Sequence, residues 1–124
     1  MHAATLPDGY LDDLFAAIDA KDPEAFAAFL TEDGEFRFGS APAVVGRDNV
    51  AEAVRGFFDT IDGLSHSVIR LWRDQGSLAC EGEVCYRRHD GQEVIIPFVN
   101  VFDCEAGLIS KYRIYIDIAP LYAE

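Results

Sequence analysis

Residues 93–118 have the sequence EVIIPFVNVFDCEAGLISKYRIYIDI, two strand-like runs joined by the short turn Glu105-Ala106-Gly107. The first run is apolar from Val94 to Val99, and in the second run isoleucines alternate with Arg113, Tyr115 and Asp117. Apolar residues at every second position are typical of a β-strand. Because only a short turn separates the runs, this stretch predicts two antiparallel strands, over about 93–103 and 108–118.

Two further strands are predicted upstream of this pair, over about 64–73 and 78–88. Asp90-Gly91 lies between the second and the third strand and is a strong signal for a tight hairpin turn. Four consecutive strands with short connections predict an antiparallel meander in the second half of the chain.

The first half of the chain has helical periodicity. An amphipathic helix is predicted from apolar residues at i, i+3, i+4 and i+7, namely Leu11, Leu14, Phe15 and Ile18. Asp22-Pro23 predicts the start of a second helix, which Asp33-Gly34 ends. A short strand over 35–38 follows, and then a third helix with Asp48 as its N-cap and Gly63 at its end. The chain is therefore expected to be an α+β protein.

Composition limits the classes of partner. The chain has 124 residues, half of them apolar, and a formal net charge of −12. This length predicts one domain over residues 1–124, and the apolar content excludes general disorder. A surface that binds nucleic acid or an anionic membrane needs a basic stripe, so neither partner is expected. No apolar run approaches the ~20 residues of a membrane span, and residues 1–5 lack a signal-peptide pattern, so a cytoplasmic location is expected.

The cysteines and histidines do not form a recognisable metal motif. Cys80 and Cys85 lie five apart in one predicted strand and point to opposite faces, so they cannot form a disulfide. Cys104 leaves an odd number of thiols, which is typical of a reducing compartment. The chain has no CxxC, HExxH, GxGxxG or Walker motif. We therefore expect neither a metal nor another cofactor.

The strand over 93–103 is apolar on both faces, although a sheet covered by helices on one side needs a polar outer face. An apolar outer face usually means that a partner covers it. This pattern predicts a homodimer that forms through the outer face of the sheet. The alternative is that a loop or a terminus of the same chain folds over that face.

The order of elements resembles that of the nuclear transport factor 2-like superfamily. The segments that carry the resemblance are 19–26 (DAKDPEAF), 45–50 (VGRDNV) and 112–117 (YRIYID), and together they look most like its SnoaL-like, polyketide cyclase-like branch. The resemblance implies a cone-shaped, curved antiparallel sheet, with the three helices of the first half on its concave face and a cavity at its open end. It does not identify one reaction, because this fold carries isomerases, cyclases, dehydratases, epoxide hydrolases and binding modules.

Two mechanisms of the superfamily lack their residues here. The positions that resemble those of a ketosteroid isomerase tyrosine and two aspartates are Leu14, Phe38 and Val99, all apolar. Asp117 matches one aspartate of a limonene epoxide hydrolase-like enzyme, but Glu83-Val84-Cys85 stands where that enzyme has Arg-x-Asp. Neither activity is expected.

The SnoaL-type arrangement implies Asp117 as a general acid/base near the end of the last strand. His66 and Tyr115 are expected to assist it, because an imidazole or a phenol can exchange a proton with a substrate or hold its carbonyl. A carboxylate in an apolar pocket suits proton removal next to a carbonyl, because burial raises its pKa. The alternatives are that Asp117 caps the turn before Pro120 in water, and that His66 is a half-solvated residue at the start of a strand.

On the implied cone, alternation places Arg113, Tyr115 and Asp117 inside, together with Glu83 and Cys85. His66 and Trp72 are six residues apart and are expected to share a face. Glu83 is expected to be ion-paired, with Arg113 or Arg70, or to be a second catalytic carboxylate. The side chains expected to contact a substrate are Phe15, Phe36, Phe38, Phe58, Trp72, Glu83, Val99 and Arg113.

These observations favour cofactor-free acid/base chemistry on a small hydrophobic carbonyl or polyketide-like compound. Isomerisation, cyclisation and dehydration all belong to this class. The alternatives are a ligand-binding module that uses the same cavity and a dimerisation module whose cone is filled by its own aromatic residues.

Overall fold

The structure, a computed structural model, describes Leu6 and residues 9–123. Residues 1–5, for which the sequence predicts no signal peptide, lie outside the described residues. The helices are α1 (Tyr10–Asp19), α2 (Pro23–Ala27), α3 (Arg47–Asp59) and α4 (Ala119–Tyr122). The strands are β1 (Leu30–Phe38), β2 (Val44–Val45), β3 (Gly63–Asp74), β4 (Ser77–Arg87), β5 (Glu93–Glu105) and β6 (Leu108–Ile116).

One curved, unclosed sheet contains the six strands in the order β2-β1-β6-β5-β4-β3. Strands β3 to β6 form the predicted antiparallel meander, and the predicted α+β class is confirmed. Strand β1 differs, because it pairs in parallel with β6. This pairing brings the first strand beside the last and places Phe36 opposite Tyr112.

The sequence predicted the N-cap of α2 correctly and that of α3 incorrectly. Asp22 is the N-cap of α2 as predicted, since its carboxylate accepts a hydrogen bond from the Ala25 N–H at 3.0 Å. Asp48 is not the N-cap of α3: that position belongs to Gly46, whose φ of 99° is accessible to a residue without a Cβ. Asp48 lies instead in the first turn, where a negative charge favours the helix dipole.

The boundaries around β1 and α3 also differ from the prediction. Helix α2 ends before Leu30, and Asp33-Gly34 lies inside β1, so this strand begins five residues earlier than the predicted 35. Gly34 is buried where β1 is irregular, and a Cβ there would lie 3.0 Å from Leu30 Cβ. Gly63 begins β3 and does not end α3, which stops at Asp59.

Helices α1 to α3 pack against one face of the sheet, the inner face, and this packing forms the core. Three edge-to-face or tilted ring pairs connect the layers: Phe26–Tyr112, Phe57–Tyr86 and Phe15–Phe98, with centroids 5.8, 5.8 and 6.2 Å apart. Such pairs contribute ~1 kcal/mol each beyond the burial of their apolar surface. They also decide which face of each strand the helices cover, because residues 86, 98 and 112 must all face the helices.

The predicted orientation of β6 and β4 was wrong. Tyr112 and Ile114 face inward, whereas Arg113 and Tyr115 lie on the outer face, where Tyr115 is 56% exposed. On β4 the inward residue is Val84, and the neighbouring Glu83 is exposed. The reason is that alternate residues of a strand face opposite sides, and the more apolar set turns toward the helices. On β6 that set is Tyr112, Ile114 and Ile116.

Trp72 and His66 do not share a face. A bulge between Val68 and Arg70 inserts one residue into β3, so the alternation changes phase there. His66 pairs with the inward Val84, but Trp72 pairs with Ala79 and lies 47% exposed on the outer face. Two residues six positions apart share a face only when the strand between them has no bulge.

Candidate functional site

A cavity of about 340 Å³ opens between the helices and the inner face of the sheet. This volume lies in the ~300–1,000 Å³ range of sites for small molecules. Its wall is aromatic and aliphatic apart from one histidine and the hydroxyls of three tyrosines. The lining residues are Ile18, Phe26, Phe36, Phe38, Ala41, Pro42, Val44, Ala53, Val54, Phe57, Phe58, Leu64, His66, Tyr86, Tyr112, Ile114, Ile118 and Tyr122.

His66, the histidine of the wall, is paired with Asp19, which lies behind the lining residues. His66 Nδ1 lies 2.6 Å from Asp19 Oδ1, and the His66 backbone N–H donates to Asp19 Oδ2 at 3.0 Å. The two side chains are only 10% and 27% exposed. A carboxylate held by two bonds from one residue fixes the imidazole ring, which leaves Nε2 as the nitrogen available to a ligand.

Aromatic rings hold the other surfaces of the imidazole. Phe15 stacks on it with centroids 4.6 Å apart, and Phe98 meets it edge to face at 5.5 Å. Gly82 makes room for this arrangement, because a Cβ there would lie 2.9 Å from the Phe98 ring and 2.2 Å from the Ser67 carbonyl oxygen. The histidine is therefore fixed by packing as well as by its hydrogen bonds.

The three tyrosines of the wall differ in what their hydroxyls contact. The Tyr112 hydroxyl accepts from Asn100 Nδ2 at 3.2 Å, and the Tyr122 hydroxyl lies 2.9 Å from Thr60 Oγ1. The Tyr86 hydroxyl has no hydrogen-bond partner among residues 9–123. The cavity thus contains one tyrosine hydroxyl that the described part of the chain leaves available.

Burial dominates the ionisation of these tyrosines. It raises the pKa of Tyr86, with smaller contributions from Tyr122 and the Asp19 carboxylate, and it raises the pKa of Tyr112 well above its ordinary value. Both hydroxyls therefore stay protonated through the neutral range and are hydrogen-bond donors, not bases.

Several residues predicted from the sequence do meet at this cavity. Phe36, Phe38, Phe58 and His66 line it. Phe15 lies in the core behind the wall and reaches the site through its stacking on His66.

The remaining predicted residues lie elsewhere. Asp117 is exposed and its carboxylate accepts from the Ala119 N–H at 3.1 Å, the turn-capping arrangement that was its alternative interpretation. Tyr115 and Val99 face away from the cavity, and Trp72 is on the outer face. The catalytic and binding roles assigned to these residues required an inward orientation that they do not have.

Arg113 and Glu83, the two charged residues predicted to contact a substrate, also lie on the outer face. Arg113 pairs with Asp103, at 3.3 Å between Nη2 and Oδ1, and not with Glu83. Glu83 is exposed and has no ion-pair partner within residues 9–123. Val99, the position that resembles that of a ketosteroid isomerase carboxylate, also faces outward, and its inward neighbours on β5 are Phe98 and Asn100.

Sequence reasoning missed Asp19 and Tyr86. Asp19 did carry a signal, because it is the last residue of α1, where the helix dipole disfavours an acid, and it follows the buried Ile18. An acid in that position needs a donor from another element, which His66 supplies. Tyr86 carried no signal beyond its place in a strand, because its face depends on the pairing with β3.

Other kinds of site find no support in the described part of the chain. No three side chains of His, Cys, Asp or Glu lie together there in a way that could hold a metal ion. Across the same residues no helix has the length and apolarity that a membrane crossing requires.

Solved structures with this architecture are numerous. A candidate polyketide cyclase from Xanthomonas campestris pv. campestris is 20% identical, with 91% of each chain covered and a TM-score of 0.81. An NTF2-like protein of unknown function from Burkholderia pseudomallei is 16% identical over 90% of each chain, at a TM-score of 0.80. An LEH-like epoxide hydrolase of M. tuberculosis is 18% identical, covering 90% of this chain and 83% of its own, at a TM-score of 0.75. At these identities the likeness shows the fold alone. No curated protein sequence matches the chain.

The helices on one face of a curved, unclosed sheet define an NTF2-like protein, as the resemblance implied. Within that class, the SnoaL-like domain family matches residues 11–112. The chain belongs to the SnoaL-like family.

Proposed function

We propose that this protein is a cofactor-free acid/base enzyme for small, neutral, hydrophobic carbonyl compounds, of the isomerase, cyclase or dehydratase type. The observation that carries the proposal is that His66, which lines an apolar cavity, is held by Asp19 at 2.6 Å between Nδ1 and Oδ1. His66 is the proposed proton carrier, and this role replaces the one that the sequence suggested for Asp117.

The pair supplies what proton transfer at a carbonyl compound requires. When Nδ1–H donates to Asp19, the neutral imidazole presents the lone pair of Nε2 to the cavity. Nε2 can then remove a proton from the carbon next to a carbonyl and return it at another position, while Asp19 stabilises the imidazolium formed in between. Asp19 acts here as a positioning residue, since it holds the ring and does not touch the ligand.

The charge around the cavity favours a neutral ligand. Among the described residues its lining includes no lysine or arginine, and the chain has a formal net charge of −12. A carboxylate or phosphate would therefore enter a negative field without a counter-charge, next to Asp19. An apolar molecule with one or two oxygen atoms fits this wall.

Exchange of α-protons for deuterium tests the proposal without knowledge of the natural substrate. The protein is incubated in D₂O with neutral aryl ketones that it binds, and exchange is followed by NMR. We expect the wild type to accelerate exchange, and His66→Gln to lose ~100-fold or more of the acceleration, the usual contribution of a general base. Asp19→Asn is expected to lose part of it, and Asp13→Asn, an exposed acid on the same helix, is the matched control.

Two results would contradict this assignment. Equal exchange by the wild type and His66→Gln would remove His66 from the chemistry. Dependence on Asp117 in place of His66 would restore the assignment made from the sequence.

The second candidate is a non-catalytic binding module that uses the same cavity. The observation that favours it is the almost entirely apolar wall, which binds hydrophobic ligands without any titrating group. The same assay separates the candidates, because a binding module takes up the ketone and leaves its α-protons unexchanged.

We also propose that the protein is a homodimer through the outer face of the sheet. Ile95, Tyr115 and Trp72 are 64%, 56% and 47% exposed on that face, and Tyr115 pairs with Val99. Large apolar side chains exposed together on one sheet face usually mark an interface. Sedimentation velocity at micromolar concentration is expected to show a dimer that Ile95→Asp dissociates, and a wild-type monomer would refute the proposal.

A cytoplasmic location is part of the same proposal. Cys80, Cys85 and Cys104 are all free thiols, a state that a reducing compartment maintains. Fractionation of the host cell tests this point directly.

A further inference from the structure

Tyr86 is a polar residue of the cavity wall that has no role in the proposed proton transfer. Its ring is 3% exposed and packs edge to face against Phe57, with centroids 5.8 Å apart at 81°. A tyrosine hydroxyl in such a place is normally paired, because an unsatisfied buried donor costs ~1–3 kcal/mol. In residues 9–123 the one fully enclosed side-chain oxygen or nitrogen without a partner is Asn100 Oδ1, so the unpaired Tyr86 hydroxyl is open to the cavity.

The pairing of β3 with β4 places Tyr86 near His66 on the inner face. His66 lies opposite Val84 and Leu64 lies opposite Tyr86, so His66 and Tyr86 are diagonal neighbours on the inner face. Diagonal neighbours on adjacent strands are ~7–8 Å apart, within reach of two ring side chains that contact a common molecule. Both residues line the cavity.

The other two tyrosines of the wall are already paired. The Tyr112 hydroxyl accepts from Asn100, and the Tyr122 hydroxyl is paired with Thr60. Burial raises the pKa of Tyr86, so its hydroxyl remains a donor throughout the range in which the imidazole of a histidine exchanges a proton. A donor beside a base is the arrangement that carbonyl chemistry uses, since the oxygen gains negative charge as the neighbouring carbon loses its proton.

We infer that the Tyr86 hydroxyl is the ligand-oxygen donor of this cavity: it donates a hydrogen bond to the carbonyl oxygen of a neutral ketone whose α-carbon faces His66 Nε2. The inference rests on the proposed function and makes it more specific, because it selects ketones over hydrocarbons of the same shape. No group is transferred in this contact. The hydroxyl keeps its proton and shares it with the ligand oxygen.

Two probes of the same shape test the contact. They are 2-acetylnaphthalene and 2-isopropenylnaphthalene, which differ in having C=O in place of C=CH₂. Calorimetric titration gives the ratio of the two dissociation constants for each protein. Tyr86→Phe is expected to reduce the preference for the ketone by about fivefold, the loss of one net hydrogen bond, and to leave the affinity for the alkene within about twofold. Tyr10→Phe is the matched control, because the Tyr10 hydroxyl donates to the Phe29 carbonyl away from the cavity.

The outcomes separate this inference from the proposal beneath it. If both probes bind and Tyr86→Phe has the ketone preference of the wild type, the inference is overturned and the proposed function stands. If the preference is lost in His66→Gln and not in Tyr86→Phe, the oxygen contact belongs to His66 and the inference is again overturned. If neither probe binds the wild type, the hydrophobic carbonyl site itself is refuted, and the role of Tyr86 falls with it.

Discussion

The bond between His66 and Asp19 can be measured by a double-mutant cycle, because its two components separate cleanly. His66→Ala removes the imidazole and its Nδ1 contact, but it retains the backbone N–H that donates to Asp19 Oδ2 at 3.0 Å. Asp19→Ala removes both contacts in the wild type and only the backbone contact in the His66→Ala background. The difference between these two effects is therefore the free energy of the side-chain bond alone.

The magnitude follows from the charge and the burial of the pair. A hydrogen bond to a charged group contributes ~1.5–3 kcal/mol, against ~0.5–1.5 kcal/mol for a neutral pair. Both side chains are less than one third exposed, at 10% and 27%, so water does not remove most of this contribution. We expect a coupling free energy of about 2 kcal/mol, a change of roughly 30-fold in the unfolding equilibrium.

Urea unfolding of the four proteins at one fixed protein concentration gives the coupling, followed by far-UV circular dichroism at neutral pH. The fixed concentration matters because the proposed dimer would add a concentration-dependent contribution to stability. A coupling below about 0.5 kcal/mol would show that the 2.6 Å contact is not a strong hydrogen bond in solution, and would refute the reasoning that Asp19 holds the imidazole.

Three further predictions concern stability and thiol chemistry. Gly82→Ala is expected to lower the free energy of unfolding by about 3 kcal/mol, because the new methyl would lie 2.2 Å from the Ser67 carbonyl oxygen, and urea unfolding measures this loss. Burial raises the pKa of Tyr10 to about 12, so its folded form keeps a proton that the unfolded chain loses near pH 10, and stability falls as the pH rises between these values. Tyr10→Phe loses the hydrogen bond to the Phe29 carbonyl, so its free energy of unfolding should be about 1 kcal/mol lower at pH 7. Its free energy of unfolding should also fall less steeply in the alkaline range. Burial also raises the pKa of Cys80 to about 11, so iodoacetamide at pH 8 should modify this thiol only after unfolding, as mass spectrometry would show.

Each of these predictions has a control in the same chain. Gly56→Ala, in the middle of α3 with nothing within 4 Å of the added Cβ, should raise stability by ~0.5–1 kcal/mol, and an equal loss at both glycines would contradict the steric argument. If the free energy of unfolding of Tyr10→Phe fell with rising pH as steeply as that of the wild type, Tyr10 would not titrate as stated. Cys85, on the outer face, should react before Cys80, and the proposed dimer predicts that it reacts more slowly in the wild type than in Ile95→Asp.

The sequence allowed the fold to be predicted because its signals are local. The spacing in α1, the Asp22 cap and the Asp90-Gly91 turn each depend on neighbours within a few residues, and all three are present in the structure. The errors fall where a distant segment decides the outcome. An example is β1, which begins at Leu30 because it pairs with β6, about 80 residues further on.

The candidate site was predicted less well, and the reason is the phase of the strands. Alternation shows that residues 113, 115 and 117 share a face, but it does not say which face the helices cover. His66 was a candidate because histidine can exchange a proton near neutral pH, but spacing did not show which face of the strand it occupies. Its partner Asp19 is 47 residues away, and no local pattern connects them.

The sequence by itself determined the α+β class, the meander and the resemblance that implied a cone with a cavity. Only the tertiary structure decided which residues face that cavity. The packing of Phe15, Phe26 and Phe57 on the sheet turned Tyr86 and Tyr112 inward and left Tyr115 outside, and one inserted residue in β3 separated Trp72 from His66. The physical reason is that a strand has two faces of equal geometry, and the choice between them depends on apolar burial summed over all the elements that pack against it.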